Sequence, residues 1–312
     1  MRLFELLRDI RVMIGYLKNY IKESPFVSFR PHALLRFIFD KSKAVIIFFI
    51  LLGTSRLDAE EYKRIISLGP GITEGIFLLK AQERLVGVTT YCIRPPEAQK
   101  KEKVGSVIEV NLEKVFSLSP DLVLATSLTD RRVIERLRKL KIKVEEFALA
   151  RDFRELSNNF LRLGRLLGKE KEALAIVTRA KEEISSIRKS IKDLPPKKVF
   201  IQVGSKPLFT MTGDTFVNDL IELAGGVNIA RDSKIGLWSR EMVVNIDPDV
   251  ILITTMGVDA EAEIKEWSRF KNLKAVREGR IYTIDSYMIG SPTPLSFVET
   301  LRELTRILHE KN

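Results

Sequence analysis

Sulfur and imidazole are scarce in this chain. Cys92 is the only cysteine among 312 residues, which excludes an intrachain disulfide and every cysteine-based metal site. The only two histidines, His32 and His309, stand in the leader region and in the last few residues. A histidine-rich site for bare zinc or manganese is excluded with them, and no protein-built metal site is expected. Long polar tracts are missing too, and 45% hydrophobic residues mark an ordered globular protein. No Lys/Arg cluster interleaved with aromatics occurs, so the net charge of +11 does not point to nucleic acid. Residues 1–59 hold ten Lys/Arg against five Asp/Glu, a net of +5 that leaves +6 for the remainder. That surplus favours an anionic ligand or surface only weakly.

The N-terminal 59 residues form a separate segment. Lys41 and Lys43 precede an apolar stretch from Ala44 to Leu52, too short to span a bilayer but suited to a secretory h-region. Ala59 offers a cleavage point, although Leu57 suits such a site poorly; a buried strand is the other reading of the stretch. Placement after a basic pair favours export, to the periplasm or cell surface, with the segment either cleaved or kept as an anchor. Residues 1–40 exceed an ordinary n-region and are either a true extension or an upstream start. No cysteine follows the h-region to carry a lipid.

What is present is alternation. "RIISL", "RLVGVT", "DLVLAT" and "VEEFA" read as strands separated by helical patterns, and the alternation resumes at "KKVFIQVG", "DVILIT" and "RIYTID". This predicts an α/β protein of two βαβ lobes, residues 60–168 and 196–312, each a sheet flanked by helices. Residues 169–195 predict one long helix between them, because Ala173, Val177, Ala180, Ile184, Ile187, Ile191 and Leu194 recur at helical spacing before Pro195-Pro196. Such a helix is a rigid strut, with a ligand cleft between the lobes.

The lobes also share a repeat. Glu113, Pro120, Asp121 and Thr126 return as Glu241, Pro248, Asp249 and Thr254, each 128 residues later. Helix-to-strand punctuation by Pro-Asp is common, but agreement at four positions predicts two similar lobes, each with one glutamate at a helix start.

Gly69, Gly71 and Gly75 raise the question of a phosphate cradle. They form only a degraded dinucleotide motif. The second strand ends in Thr89, Thr90 and Tyr91, without the ribose-binding carboxylate, and Glu74 inside the turn would repel a phosphate. No G-x-x-x-x-G-K-[ST] occurs either.

The same stretches carry a family resemblance. "RIISLGPGITEGIF", "LVGVTTYCIRPPEAQKKEKVG", "NLEKVFSLSPDLVLA", "LIELAGGVNIARDS" and "SREMVVNIDPDVILIT" resemble helical-backbone solute-binding proteins of ABC importers, the family that captures cobalamin, ferric siderophores and haem. The resemblance covers about Ile65 to Leu308. It implies a non-enzymatic monomer that binds a metal chelate and delivers it to a permease with ATPase subunits; the cobalt or iron chelate is the ligand, and no separate cofactor is implied. It assigns Tyr91, Phe209, Trp238, Asp285 and Tyr287 to the cleft, and Glu113 and Glu241 to permease docking. Val107, Thr126 and Ile289 depart from the cobalamin-binding branch, which carries two tryptophans and an arginine there. Arg94, Arg131 and Arg240 are candidate cations for an anionic siderophore, against a solvated-surface role for each. Two alternatives stay open: a ligand-sensing extracytoplasmic domain of the same fold and, further off, a Rossmann-like oxidoreductase. The oxidoreductase reading lacks the ribose carboxylate and any histidine or cysteine placed for acid–base or nucleophilic work.

Overall fold

The computed structural model describes residues 62–255 and 257–310. The expected export signal, its basic pair and Ala59 lie outside the described residues.

The first lobe runs β1 (Ile65–Ser67), α1 (Pro70–Leu78), β2 (Leu85–Val88), β3 (Glu102–Lys103), α2 (Leu112–Ser117), β4 (Leu122–Thr126), α3 (Arg131–Lys139) and β5 (Lys143–Phe147). Its sheet has the order β3-β2-β1-β4-β5, with every pair parallel. A parallel sheet is covered on both faces, and β4 shows how the sequence meets that demand. Leu122 and Leu124 join Ile65, Phe160 and Leu163 on one face, while Val123 and Ala125 join Ile66, Ile134 and Leu137 on the other.

Two helices then cross between the lobes, α4 (Phe153–Leu166) and α5 (Glu170–Ser190). Ala173 and Val177 of α5 belong to the first lobe's core; Ala180 and Ile184, further along the same stripe, belong to the second lobe's. In α4 the order is reversed, with Leu156 in the second core and Phe160 and Leu163 in the first. The lobes are therefore stapled by an antiparallel pair of helices, each buried in both cores. At 21 residues α5 is about 32 Å long, shorter than the apolar stripe predicts. Leu194 is 45% exposed, because a residue before proline is driven out of the helical region and the last turn unwinds.

The second lobe comprises β6 (Lys197–Ser205), β7 (Leu208–Thr210), α6 (Phe216–Leu223), β8 (Gly226–Asn228), α7 (Arg240–Ile246), β9 (Val250–Thr254), α8 (Ala260–Trp267), α9 (Lys274–Arg277), β10 (Ile281–Ile284), α10 (Ser286–Gly290) and α11 (Pro294–His309). Parallel β10, β9 and β6 form its centre, and β6 pairs β8 in parallel at its start and β7 antiparallel at its end. The 128-residue repeat is a real structural unit. Asp121 accepts from the backbone N–H of Lys63 (2.7 Å) and Arg64, ahead of β1, and Asp249 accepts from Lys198 N–H (2.7 Å) in β6. In each lobe the repeated aspartate ties the strand it begins to the start of its neighbouring strand.

The glycines of the first turn serve close packing. A Cβ on Gly69 would stand 2.6 Å from the Thr126 side chain, and one on Gly71 would meet the carbonyls of Ser291 and Pro292 at 3.0 and 3.2 Å. Gly71 thus lets the first lobe touch the second. Glycine here makes room for protein, not for a pyrophosphate.

Candidate functional site

The carboxyl ends of the two sheets face one another. Four contacts cross between the lobes; in three of them both segments follow parallel strands, while Asp214 follows antiparallel β7. Gly71, after β1, abuts Ser291 and Pro292. Arg94, after β2, lies 3.5 Å from Asp285, directly after β10. Arg151, after β5, approaches Asp214, after β7, at 3.6 Å. Glu74 of α1 accepts from the Thr293 hydroxyl at 3.2 Å. Ligands of open α/β sheets bind outside the strand carboxyl ends, so the interlobe seam is the candidate cleft.

Exposed apolar side chains gather along these edges. Tyr91 (57% exposed), Leu128 and Leu149 follow β2, β4 and β5; Phe209 (44%), Ile235 and Leu237 belong to the second lobe's edge. Tyr91 faces solvent because the next residue is a plug: Cys92 is buried, its sulfur 3.1 Å from the Thr73 hydroxyl and 3.2 Å from that of Thr89. Phe209 is the outward residue of β7, between buried Leu208 and Thr210, and its ring lies against Gly236, where a Cβ would be 2.6 Å away. Large exposed rings cost hydration free energy unless something covers them.

Asp285 caps α10, accepting from Tyr287 N–H at 2.8 Å, and remains exposed. Tyr287 is half-buried, with the Arg94 guanidinium stacked on its ring at 4.3 Å. Its hydroxyl is buried without a hydrogen-bond partner; burial, then the nearby Glu74 charge, raises its pKa.

Trp238 requires a correction. It is 8% exposed, stacks on Phe200 at 5.9 Å and donates its indole N–H to the Ser233 hydroxyl at 3.1 Å. Its surface belongs to the second lobe's core, where burying a large ring against another outweighs presenting it to solvent. Ile289 is likewise a core residue, 5% exposed, so no cation is missing from the cleft at that position.

Glu74 is a site residue that sequence reasoning read only as hostile to phosphate. Its Oε2 is buried without a partner, and burial raises its pKa while Arg94 pulls it back. A carboxyl with a raised folded pKa binds its proton more tightly in the folded state. Its ionisation therefore penalises folding above that pKa, and the penalty disappears as pH falls towards the unfolded value of 4.5. Glu74→Gln, which keeps an acceptor for Thr293, is expected to melt higher than wild type at pH 7, with the gap closing towards pH 4.5. Thermal melts across that range check it; a lower Tm at pH 7 would contradict the assignment.

Glu113 and Glu241 are both exposed, each at the second position of its helix. Asn111 and Ser239 cap α2 and α7, accepting from Lys114 N–H (2.9 Å) and Met242 N–H (3.3 Å). The backbone N–H of Glu241 and the Ser239 hydroxyl lower the pKa of the Glu241 carboxyl from its ordinary value. Pro-Asp joins each helix's end to the amino end of its strand, so each helix start lies towards the strand's carboxyl end. Both glutamates thus stand on the cleft-side rim, one per lobe.

Two α/β lobes stapled by long helices around an apolar-edged seam define a two-lobed solute-binding protein. The comparisons with known proteins agree: the periplasmic binding protein model matches residues 65–288, and the chain belongs to that family. It is 33% identical over 258 residues to the uncharacterised ABC transporter substrate-binding lipoprotein YvrC of Bacillus subtilis, covering 80% of this chain and 81% of that one. Identity to the vitamin B12-binding protein of Yersinia pseudotuberculosis is 29% over 221 residues, 70% and 78% of the two chains. A solved structure of a possible iron-binding periplasmic solute-binding protein from Staphylococcus epidermidis superposes with a TM-score of 0.72 at 30% identity, covering 80% of this chain and all of that one.

Proposed function

We propose that this chain is the extracytoplasmic binding component of an ABC importer. It captures a metal chelate (a corrinoid, haem or ferric siderophore) between its lobes and delivers it to a permease driven by ATPase subunits. The reading rests on the exposed Tyr91 and Phe209 at the carboxyl edges of two sheets that face each other. A macrocycle or catecholate chelate offers flat apolar area to such rings and polar groups to Asp285, which Tyr287 supports through its backbone N–H. Relatives described as binding vitamin B12 or as possibly iron-binding support a chelate over a sugar or an amino acid. Glu113 and Glu241 are the permease contacts in this reading, a two-point dock of fixed spacing.

Calorimetric titration with cobalamin, cobinamide, haem and several ferric siderophores tests it. Calorimetry suits the protein because both tryptophans, Trp238 and Trp267, are buried in the second lobe's core. At least one chelate is expected to bind with sub-micromolar Kd, about −8 kcal/mol or stronger. Silence across the panel would overturn the chelate reading.

A further inference from the structure

Of the three arginines that the sequence offers as anion partners, only one is placed to meet a ligand in the cleft. The Arg240 guanidinium is committed to buried Glu263 and lies 4.5 Å above the Trp267 ring. Arg131 is 92% exposed on α3 and pairs with Glu135, one helical turn on. Arg94 stands three residues past Tyr91, its side chain 32% exposed at the seam.

The surroundings of Arg94 are those of a held but unsatisfied cation. The Tyr287 ring lies 4.3 Å from its guanidinium carbon and fixes the plane of the fork. Among the described residues its one ion pair is with Asp285, a single Nη2–Oδ2 approach of 3.5 Å, long for a charge-assisted hydrogen bond. Asp285 is 58% exposed and already committed through Oδ1 to the Tyr287 amide at 2.8 Å. A guanidinium carries five N–H donors in a planar fork that matches a carboxylate or phosphate edge. Here the fork is oriented, mostly buried and joined by one long ion pair, with the charge of the Glu74 carboxyl close enough to feel it.

We propose that Asp285 is a placeholder. An anionic group on the ligand, a carboxylate or phosphate at the edge of the chelate, displaces Asp285 and takes the Arg94 fork in bidentate fashion while Tyr287 holds it in place. Arg94 and Asp285 belong to opposite lobes, 191 residues apart, so the exchange also replaces a protein-only bridge by one through the ligand. The protein then selects chelates that bear a peripheral anion over neutral ones of the same shape. This inference rests on the chelate-binding reading and adds to it the chemistry of the ligand's edge.

The test compares matched ligands on the full chain by calorimetry. Haem against its dimethyl ester reads a carboxylate; cobalamin against cobinamide, which lacks the phosphate and its nucleotide, reads a phosphate. In wild type the member of one pair that carries the peripheral anionic group is expected to bind at least ~10-fold tighter than the member without it, the scale of a charge-assisted hydrogen bond. Arg94→Gln removes that difference by weakening the anionic member alone, and Arg94→Lys, keeping the charge without the fork, falls between. Asp285→Asn, which retains the cap of α10, tightens the anionic member by freeing Arg94. Equal binding within both wild-type pairs overturns the inference while leaving the chelate reading intact, as does an unchanged difference in a folded Arg94→Gln. Binding of no chelate at all overturns both.

Discussion

Replacing Glu113 and Glu241 together by alanine is expected to leave chelate affinity within about twofold of wild type and to cut transporter-dependent uptake by roughly 100-fold or more. Truncating one member of a hydrogen-bonded charge pair at an interface weakens association strongly, and two such losses compound. Both carboxylates are exposed, and each belongs to a helix start rather than to the segments that carry Tyr91 and Phe209. Folding should tolerate the change, since Asn111 and Ser239 remain to cap the two helices. Each single variant should fall between wild type and the double, because one contact per lobe still orients the protein on its partner. Uptake of labelled chelate, its Kd and the melting curve, measured on the same preparations, separate the possibilities. Unchanged uptake would remove the docking role and return both glutamates to simple helix-start residues. A parallel fall in affinity would place them in ligand binding instead. A sensor of the same fold predicts no uptake phenotype from either residue, so the experiment also divides transport from sensing.

A second large effect is expected inside the second lobe. Glu263 of α8 is 6% exposed and accepts from Gln202 at 2.7 Å and from the Arg240 guanidinium. Gln202 in turn accepts from the indole N–H of fully buried Trp267 at 2.7 Å, and Arg240 covers that ring. Every member of this chain depends on Glu263 for its charge or its orientation. Glu263→Ala leaves a mostly buried guanidinium uncompensated, and breaking one side of such a pair costs about 3–5 kcal/mol. For a domain of this size the melting temperature should drop by about 10 °C. Chemical denaturation measures the loss directly; a change under about 1 kcal/mol would show that water replaces the carboxylate and that the pair is no support. Because Arg240 precedes Glu241 in α7, the same variant loosens the segment that presents Glu241.

The outcome for individual residues shows where sequence reasoning reaches and where it stops. Strands of four or more residues in apolar runs, such as β4 and β9, were legible because burial on both faces of a parallel sheet leaves a continuous apolar signature. The two residues of β3 and the three each of β7 and β8 were not, since so short a stretch has no period to detect; three-residue β1 was, because it sits in the longer apolar run "RIISL". Trp238 and Phe209 are equally aromatic, yet one faces the core and the other the solvent. In β7 the decision falls to strand alternation, and for Trp238 to Phe200, which lies 38 positions earlier and packs beneath it. Glu74, Arg94 and Tyr287 were all visible as residue types. Their proximity was not, and the signal in the sequence that came nearest was Glu74 standing where a phosphate loop would not tolerate it.

By itself the sequence determined the α/β alternation, the helix that enters both cores, and the duplicated unit whose aspartates clamp neighbouring strands. These are local or strictly periodic properties, written in the spacing of apolar residues and in residue pairs repeated at one offset. Only the tertiary structure decided which aromatics stay exposed, which arginine meets its partner at long range across the lobes and which carboxyl is buried at the seam. The Arg94–Asp285 and Glu74–Thr293 contacts join residues 191 and 219 positions apart. Exposure, charge pairing and proton affinity at such points are set by what the folded chain brings alongside, and nothing in the neighbouring letters encodes it.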